Sequence, residues 1–338
     1  IPRLYSVHVL LLPAVLIGLF TAHIILVMVH KHTQFPGPGR TNENVVGFPL
    51  MPVYTAKAGG FFFMVFGVLA LISALVTINP IWAYGPYDPS PVTAGSQPDW
   101  YMGFADGALR LLPGFLEFEL FGFTWSMNVF LGAVALIPVM YTAAGAYPWI
   151  EAWVTGDRRE HHLLDRPRNA PTRTAIGVAA FSFYLVLMFA AGNDIMAIKL
   201  GLSINDVTNL FRLLVFVVPV IAFWATRRIC LSLQRHDRDK VLHGRESGII
   251  MRTAEGAFYE VHEDLDEYER WKLVGFESPE PLALPSATDL NGVAAKDAKK
   301  MRRRAKWSQF YFKTRVEPVT PAELAAAHHH GEHEAIGH

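Results

Sequence analysis

Two histidines, His8 and His23, lie inside one long run of apolar residues near the start of the sequence. An imidazole surrounded by lipid needs a polar partner or a metal, so ionisable residues in a membrane segment are candidates for function. In an α-helix their separation corresponds to about 22 Å along the axis and about 60° around it. Both rings would therefore face one neighbouring helix, one ring near each membrane surface.

This arrangement is compatible with two kinds of chemistry. Neutral imidazole is a good axial ligand for haem iron, and two stacked haems would carry electrons across a bilayer. Each iron would then take its second axial ligand from another helix. Two unrelated buried histidines, bonded to backbone carbonyls, would have the same spacing. The spacing alone leaves both interpretations open.

A second group of residues with useful chemistry is Pro98-Asp99-Trp100-Tyr101, which is followed by Asp106. A carboxylate within hydrogen-bond reach of a hydroxyl group can take its proton as a general base. The alternative is an aromatic anchor at the membrane surface with a solvated acid beside it.

Five runs of apolar residues are long enough to position these groups in a membrane, since a spanning helix needs about 20 mostly apolar residues. Five in succession disfavour buried helices of a large soluble domain. The sequence therefore predicts an all-α integral membrane protein with five transmembrane helices. The predicted helices run from about 4 to 30, 55 to 78, 124 to 147, 174 to 191 and 207 to 224.

Lysine and arginine are distributed unevenly among the connecting segments, and this predicts the orientation. Basic residues follow the first, third and fifth predicted helices, so that side is expected to face the cytoplasm. The loop of about 40 residues between the second and third helices is acidic and faces outward; loops this long are usually functional. The basic set comprises Lys31, Arg40, Lys57, Arg158, Arg159, Arg166, Arg168, Arg173, Arg227, Arg228 and Arg235.

Composition excludes several kinds of site. Of the 338 residues, 30 are Lys or Arg and 30 are Asp or Glu, so a net charge of zero gives no reason to expect nucleic acid as a partner. A single cysteine, Cys230, cannot form an internal disulfide, a cysteine-ligated zinc site or an iron–sulfur cluster. The sequence also lacks the motif that attaches a c-type haem.

Hydropathy divides the chain into a membrane domain, 1–230, and a polar extension, 231–338, which we expect to be cytoplasmic and partly disordered at its His-rich end. The extension contains a predicted hairpin of 248–253 with 257–262, joined through Glu255-Gly256. Its basic run, 296–306, is either a solvated helix or a contact with anionic lipid head groups.

Residues 1–33, with Arg3, His8, Pro13 and His23, resemble the fourth transmembrane helix of cytochrome b, the haem subunit of cytochrome bc complexes. The resemblance implies that His8 binds the low-potential b haem on the outer side and His23 the high-potential b haem on the cytoplasmic side. Arg3 matches a family arginine five residues before the first ligand, and it is assigned with Arg110 to cofactor binding.

The segment 98–110 resembles the Pro-Glu-Trp-Tyr signature of the same family and its downstream Leu-Arg. This implies an outer quinol-oxidation site with Asp99, Tyr101 and Asp106 as catalytic residues, accompanied by Pro98 and Trp100. Asp99 replaces the usual Glu, as in actinobacterial members. Asp106 stands where the family often has Tyr, so which carboxylate takes the proton is open.

A cytoplasmic quinone-reduction site is a weaker prediction. Lys57 matches the family, whereas His30 and His32 are only possible substitutes for a family histidine that is Met28 here. The alternative is that all three are residues whose charged ends reach the membrane surface.

The resemblance further implies an eight-helix cytochrome b, of which this chain is the carboxyl-terminal portion from the fourth helix, with Ile1 an internal position. It implies quinol oxidation coupled to proton translocation in a bacterial plasma membrane, with menaquinone as the favoured quinone. The implied partners are a Rieske iron–sulfur subunit, a cytochrome c subunit and a terminal cytochrome c oxidase, in a dimeric complex within the lipid bilayer.

Two other functions remain open on the residues alone. One is a proton-coupled transporter with His8 and His23 as a relay. The other is a structural membrane subunit of a respiratory complex, which would leave the segment 98–101 without a role.

Overall fold

The chain folds into long helices, and the computed structural model describes residues 2–47, 49–76, 86, 99–274, 280–284, 298–312 and 316–327. Pro98 and the His-rich end, 328–338, lie outside the described residues. Among the described residues, five helices are long and apolar enough to cross a membrane, which confirms the predicted fold class. They are Arg3–His30, Leu50–Leu75, Met127–Thr155, Pro171–Ala190 and Ile204–His243, called spans one to five below.

Span one consists of α1 (Pro2–Ser6), a π-helical turn (Val7–Leu11) and α2 (Leu12–His30). The wide turn has a local cause. Pro13 has no backbone N–H to donate to the carbonyl four residues earlier, and its ring crowds that carbonyl. A π turn immediately before the proline relieves the conflict, and the Leu12 N–H bonds instead to the Val7 carbonyl.

Span two consists of a π-helical turn (Leu50–Tyr54) and α3 (Thr55–Leu75). Like α2, α3 is apolar on all sides, as expected of a helix surrounded by lipid or by other apolar helices. Neither helix buries a residue against the rest of the described chain. The apolar surfaces of spans one and two are therefore left to lipid or to other polypeptide.

The described part of the loop between spans two and three forms elements that hydropathy did not reveal. A 3₁₀ turn (Trp100–Met102) leads into α4 (Gly103–Leu111), and a second 3₁₀ turn (Gly114–Leu116) leads into a hairpin. Its strands, β1 (Glu117–Leu120) and β2 (Phe123–Ser126), are antiparallel, with Leu120 opposite Phe123. Phe121 and Gly122 form the turn with φ of 56° and 75°, the left-handed pair that tight hairpins require.

Span three begins later and ends later than predicted. It consists of α5 (Met127–Val129), a π-helical turn (Phe130–Ala135) and α6 (Leu136–Thr155). Again the wide turn stands just before a proline, Pro138, for the reason given for Pro13. The helix ends at Gly156, whose φ of 81° is the left-handed conformation typical of helix ends.

Span four is α7 (Pro171–Ala190) and span five is α9 (Ile204–His243). The two helices pack against each other, and the short helix α8 (Asn193–Leu200) connects them along the chain. Together with α4 they form the apolar core of the described chain. Small residues let the helices approach, as is usual between membrane helices. The core comprises Ala108, Leu111, Val186, Leu187, Ala190, Ala197, Val207, Phe211 and Val215.

The polar extension begins within α9, which continues as one helix to His243. It then forms the predicted hairpin, β3 (Arg245–Arg252) antiparallel to β4 (Phe258–Glu263), which confirms that interpretation. Among the described residues that follow, α10 (Glu267–Val274) and α11 (Ala298–Phe312) are helices, and 321–327 is also helical.

Helix α11 is docked onto the ends of the spans. Thr172, at the start of α7, donates a hydrogen bond of 2.9 Å to the Tyr311 carbonyl, and the Tyr311 hydroxyl donates to Glu151 of α6. Ser308 is fully buried and accepts from the Leu282 N–H at 3.0 Å. The end of α11, just after the basic run, is therefore bonded to spans three and four.

Candidate functional site

The two predicted ligands, His8 and His23, lie on span one with exposed side chains. His8 is in the π turn and His23 is in α2. Fifteen residues separate the two histidines, but a π turn takes up one extra residue. The rotation between them is therefore that of about fourteen α-helical residues, which leaves the rings about 40° apart around the axis. The rings therefore face the same side of the helix, as predicted from ideal geometry.

The surroundings of both rings fit ligands to a group supplied from outside this chain. Neither imidazole makes a hydrogen bond or ion pair with a residue that the structure describes. Within the described ranges, no three His, Cys, Asp or Glu side chains gather as a metal site. Isolated, apolar-flanked imidazoles of this kind would suit ligation of a haem iron. Arg3 is exposed in α1, five residues before His8.

In the loop between spans two and three, Asp99 and Tyr101 are joined directly. Asp99 precedes the 3₁₀ turn, and the Tyr101 hydroxyl donates to Asp99 Oδ2 at 2.6 Å. This hydrogen bond and the charge of Asp99 raise the pKa of the Tyr101 phenol. The Trp100 ring meets the Tyr101 ring edge-on at 5.9 Å, and both are exposed. Asp99 is therefore presented at the surface, bonded to the Tyr101 hydroxyl.

Asp106 has a different environment. It lies one turn into α4, and its Oδ2 accepts a hydrogen bond of 2.9 Å from Arg110 Nε. The same guanidinium donates to Asn193 at 2.8 Å and lies 3.0 Å from an Asp194 oxygen. Asp106 thus belongs to an ion-pair network that ties α4 to α8, whereas Asp99 does not take part in it.

Arg110 also borders a polar cavity of about 630 Å³ between α4, α8 and α9. Arg212 closes another side, where its Nε donates to the Leu111 carbonyl at 2.8 Å. Asn193 donates to the Thr208 hydroxyl at 2.9 Å and is buried. Sequence reasoning missed Asn193, Asp194 and Arg212, because their partners are about 80 to 100 residues away along the chain.

A glycine fixes how closely α4 lies on α7. A Cβ built on Gly107 would stand 1.8 Å from the Leu187 carbonyl oxygen and 2.7 Å from its carbon. No side chain fits in that gap, so the helix backbones touch. Phe104 adds an edge-on contact with Tyr184 at 5.4 Å. This packing fixes the position of α4, which follows Asp99 and Tyr101 in the chain, along the length of span four.

On the other side of the membrane, the loops after spans one and three are interlocked. Gln34 is buried, and its backbone bonds to His162 and Leu164 at 2.7 and 2.8 Å. Asn42 accepts from the Leu163 N–H at 2.9 Å. The two basic loops therefore lie at the same membrane surface, as the charge distribution predicted.

The residues predicted for quinone reduction lie at this surface. The His30 ring is 3.1 Å from Glu160, an acid that sequence reasoning did not select. The His32 ring lies 2.8 Å from the Thr33 carbonyl oxygen, and Lys57 is in the first turn of α3. His30 and His32 are both exposed. Their proposed role in quinone reduction stays a prediction.

The chain is similar to cytochrome b proteins. Residues 1–86 match the family model described as cytochrome b(N-terminal)/b6/petB. A cytochrome bc1 complex cytochrome b subunit from Streptomyces coelicolor is 52% identical over 98% of this chain, and one from Streptomyces lividans is 48% identical over 98%. The counterpart from Mycobacterium tuberculosis is 46% identical over 78% of the chain. The chain spans about three fifths of the Streptomyces relatives and about half of the mycobacterial one, at 61% and 48%.

The family match corrects one prediction. The chain is not only the carboxyl-terminal portion of a cytochrome b, because residues 1–86, with both histidines and spans one and two, match the model of the amino-terminal part. The prediction rested on motif resemblance and helix order, and neither property marks where the amino-terminal unit ends.

Proposed function

We propose that this chain, a multi-pass membrane protein homologous to the cytochrome b subunits of actinobacterial cytochrome bc1 complexes, supplies axial ligands to two b haems and takes part in quinol oxidation. The observation that carries the proposal is the pair of imidazoles on span one. They share one side of a membrane-crossing helix, and neither has a partner in the described part of the chain.

His8 would hold the low-potential haem near the outer surface, and His23 would hold the high-potential haem near the cytoplasmic surface. When bound, the haems supply one-electron transfer across the membrane. Each histidine would supply one ligand to its haem. Span one fits this arrangement because none of its residues is buried by the rest of the described chain.

At the outer surface, Asp99 is the proposed proton acceptor for quinol. A general base must lie within hydrogen-bond reach of the hydroxyl that it deprotonates. Tyr101 bonds to one carboxylate oxygen of Asp99, which orients the group and leaves the second oxygen for a substrate hydroxyl. Asp106 is less suited, because protonating it would disrupt its ion pair with Arg110. Arg110 would act by positioning α4.

The wider assembly is part of the same proposal. A Rieske iron–sulfur subunit, a cytochrome c subunit and a terminal oxidase are the proposed partners in a dimeric complex of a bacterial plasma membrane, with menaquinone as the quinone. Lys57, His30 and His32 are the proposed, weaker set for quinone reduction on the cytoplasmic side. We retain the division into a membrane domain, 1–230, and a cytoplasmic extension, 231–338.

A proton relay through the two histidines would need polar groups between them along the helix. Leu12, Leu16, Leu19 and Val27, at helical spacing through this part of span one, are all apolar. A relay is therefore the weaker explanation of the histidine pair.

A reduced-minus-oxidised absorbance spectrum of the purified complex tests the proposal. We expect two b-type bands, with one lost in His8→Ala and the other lost in His23→Ala. His30→Ala is the matched control, because His30 is exposed on the same helix and has Glu160 as a partner; both bands should persist. Unchanged bands in both ligand variants would exclude these histidines as ligands.

A further inference from the structure

A cavity of about 320 Å³ lies where α11 meets the cytoplasmic end of span three. Its lining is cationic and aromatic: Arg158, Lys300 and Arg304 surround it together with Trp153 and Met301. Among the described residues, no acid lines it. A concave basic site of this size suits a phosphate-bearing group.

Several other cations at this surface are paired with acids. Arg159 pairs with Asp157, Arg168 with Asp237, and Arg173 with Glu151 and Asp165. In contrast, Arg158, Lys300 and Arg304 make no ion pair with any residue in the described ranges. Three cations thus converge on a cavity to which the described chain brings no counter-charge.

The depth of the cavity corresponds to the lipid head groups. Trp153 and Trp149 are exposed in the last two turns of span three, where tryptophan is enriched at membrane–water interfaces. Arg158 follows that span by three residues. On α11, Trp307 and Phe310 are exposed and pack edge-on at 6.2 Å. The cavity therefore opens among aromatic residues at the end of a membrane helix.

The cavity is also structurally anchored. Arg304 Nε donates to the Trp153 carbonyl at 2.5 Å, one of the last carbonyls of α6. Tyr311 bonds the end of α11 to Glu151 of span three, and Ser308 bonds the same helix to Leu282 of the extension. Arg304 therefore serves in docking, while Arg158 and Lys300 have no docking bond and remain available to a ligand.

We propose that this cavity binds the head group of an anionic phospholipid, with Arg158 and Lys300 as the main phosphate-binding residues. The site is separate from the haem and quinol chemistry and does not depend on it. It gives the extension a role, because α11 completes a lipid site that span three alone would lack.

The test is a titration of phosphatidylglycerol into the purified, partly delipidated complex, followed by native mass spectrometry. Each of the two cavity cations, in contact with the lipid phosphate, is expected to contribute about fivefold in affinity, so Arg158→Gln/Lys300→Gln should weaken the tightest phosphatidylglycerol site about 25-fold. Both changes spare Arg304, and with it the docking of α11.

The matched control is Arg302→Gln/Arg303→Gln, which removes the same charge from exposed positions of the same helix outside the cavity lining. The affinity of this control variant for phosphatidylglycerol should change less than about fivefold. Equal weakening in both double variants would overturn the proposal in favour of diffuse surface charge, and so would an unchanged affinity in the cavity variant.

Two further titrations separate the possible ligands. Phosphatidylcholine should bind the site at least about fivefold more weakly than phosphatidylglycerol, since its head group carries no net charge. Inorganic phosphate should not displace the lipid at equal concentration. Equal binding of phosphatidylcholine, or displacement by phosphate, would overturn the assignment to an anionic lipid.

Discussion

The Tyr101 hydroxyl donates a hydrogen bond of 2.6 Å to Oδ2 of Asp99, two residues before it in the chain. The tyrosine thereby restrains the carboxylate, and the negative charge in turn raises the pKa of the phenol. Tyr101 consequently stays protonated and continues to donate over the physiological pH range. Asp99 is left with one oxygen held and one oxygen for a substrate.

The first prediction concerns Asp99→Asn, which keeps the size of the side chain but removes its ability to take a proton. We expect quinol oxidation to slow by about 10²- to 10⁴-fold, the usual contribution of general base catalysis. Both b-type bands should remain. Glu119→Gln is the control, because Glu119 is an exposed acid in β1 of the same outer loop; its rate should match the parent. A parental rate in Asp99→Asn would remove Asp99 from the proton step.

The second prediction separates Asp106 from Asp99. Asp106→Asn breaks the ion pair with Arg110, but the guanidinium keeps Asn193 and Asp194 as partners. Partly exposed pairs of this kind contribute about 0–1 kcal/mol, so we expect a small loss of stability and less than about a tenfold change in rate. Steady-state quinol oxidation of both variants decides between them. A larger loss in Asp106→Asn than in Asp99→Asn would transfer the proton role to Asp106.

The third prediction concerns the contact between α4 and α7. Gly107→Ala places a methyl group against the Leu187 backbone, which cannot move aside as a flexible side chain does. Forced overpacking costs about 1–3 kcal/mol, so thermal unfolding in detergent should occur at lower temperature. Quinol oxidation should also slow, because α4 follows the Asp99–Tyr101 segment directly.

The control for that variant is Gly177→Ala, on α7 itself, where a new methyl group meets nothing within 4 Å. Alanine is favoured over glycine within a helix, so its unfolding temperature should stay the same or rise. If the two variants unfolded alike, the close contact at Gly107 would not limit the packing of α4.

The spans were predictable from hydropathy, but their ends were not. Thr124 was expected to begin span three, yet it lies in β2, because the left-handed turn at Phe121 and Gly122 reverses the chain first. Span five was expected to end near Trp224, yet α9 continues to His243. The polar part of α9 packs on the loop between spans three and four, where Arg168 bonds to Asp237 at 2.9 Å. An apolar run marks where lipid ends, whereas helix ends depend on tertiary contacts.

For the candidate site, the residues were predictable from the sequence but their distant partners were not. The types and spacing of His8 and His23 indicated a shared helix face, and the segment around Asp99 indicated a surface carboxylate. The partner of Arg110 on α8 could not be predicted, since 83 residues separate it from Asn193 in sequence. Likewise, no local pattern links Glu151 to Tyr311, which lie 160 residues apart. Such pairs depend on how helices pack, and helix packing is not encoded in spacing.

The Glu151–Tyr311 pair also shows how the extension is attached to the membrane helices. Tyr311 donates to Glu151 and lies 3.1 Å from the Tyr147 hydroxyl, while Arg173 donates to the same Glu151 oxygen at 2.6 Å. Burial, followed by the bond to Glu151, raises the pKa of Tyr311, so the phenol remains a donor at physiological pH. This half-buried cluster is the main polar attachment of α11.

The fourth prediction follows from that cluster. Tyr311→Phe keeps the buried ring but removes the donor to Glu151, a hydrogen bond to a charged group worth about 1.5–3 kcal/mol. Undocking of α11 should become about 10- to 100-fold more frequent, and trypsin should cleave its Lys- and Arg-rich turns faster by the same factor. Tyr268→Phe, in exposed helix α10 of the same extension, should leave that rate unchanged, because the Tyr268 ring contacts Lys272 through its face rather than its hydroxyl. Equal cleavage of parent and Tyr311→Phe would mean that apolar packing alone holds α11 on the spans.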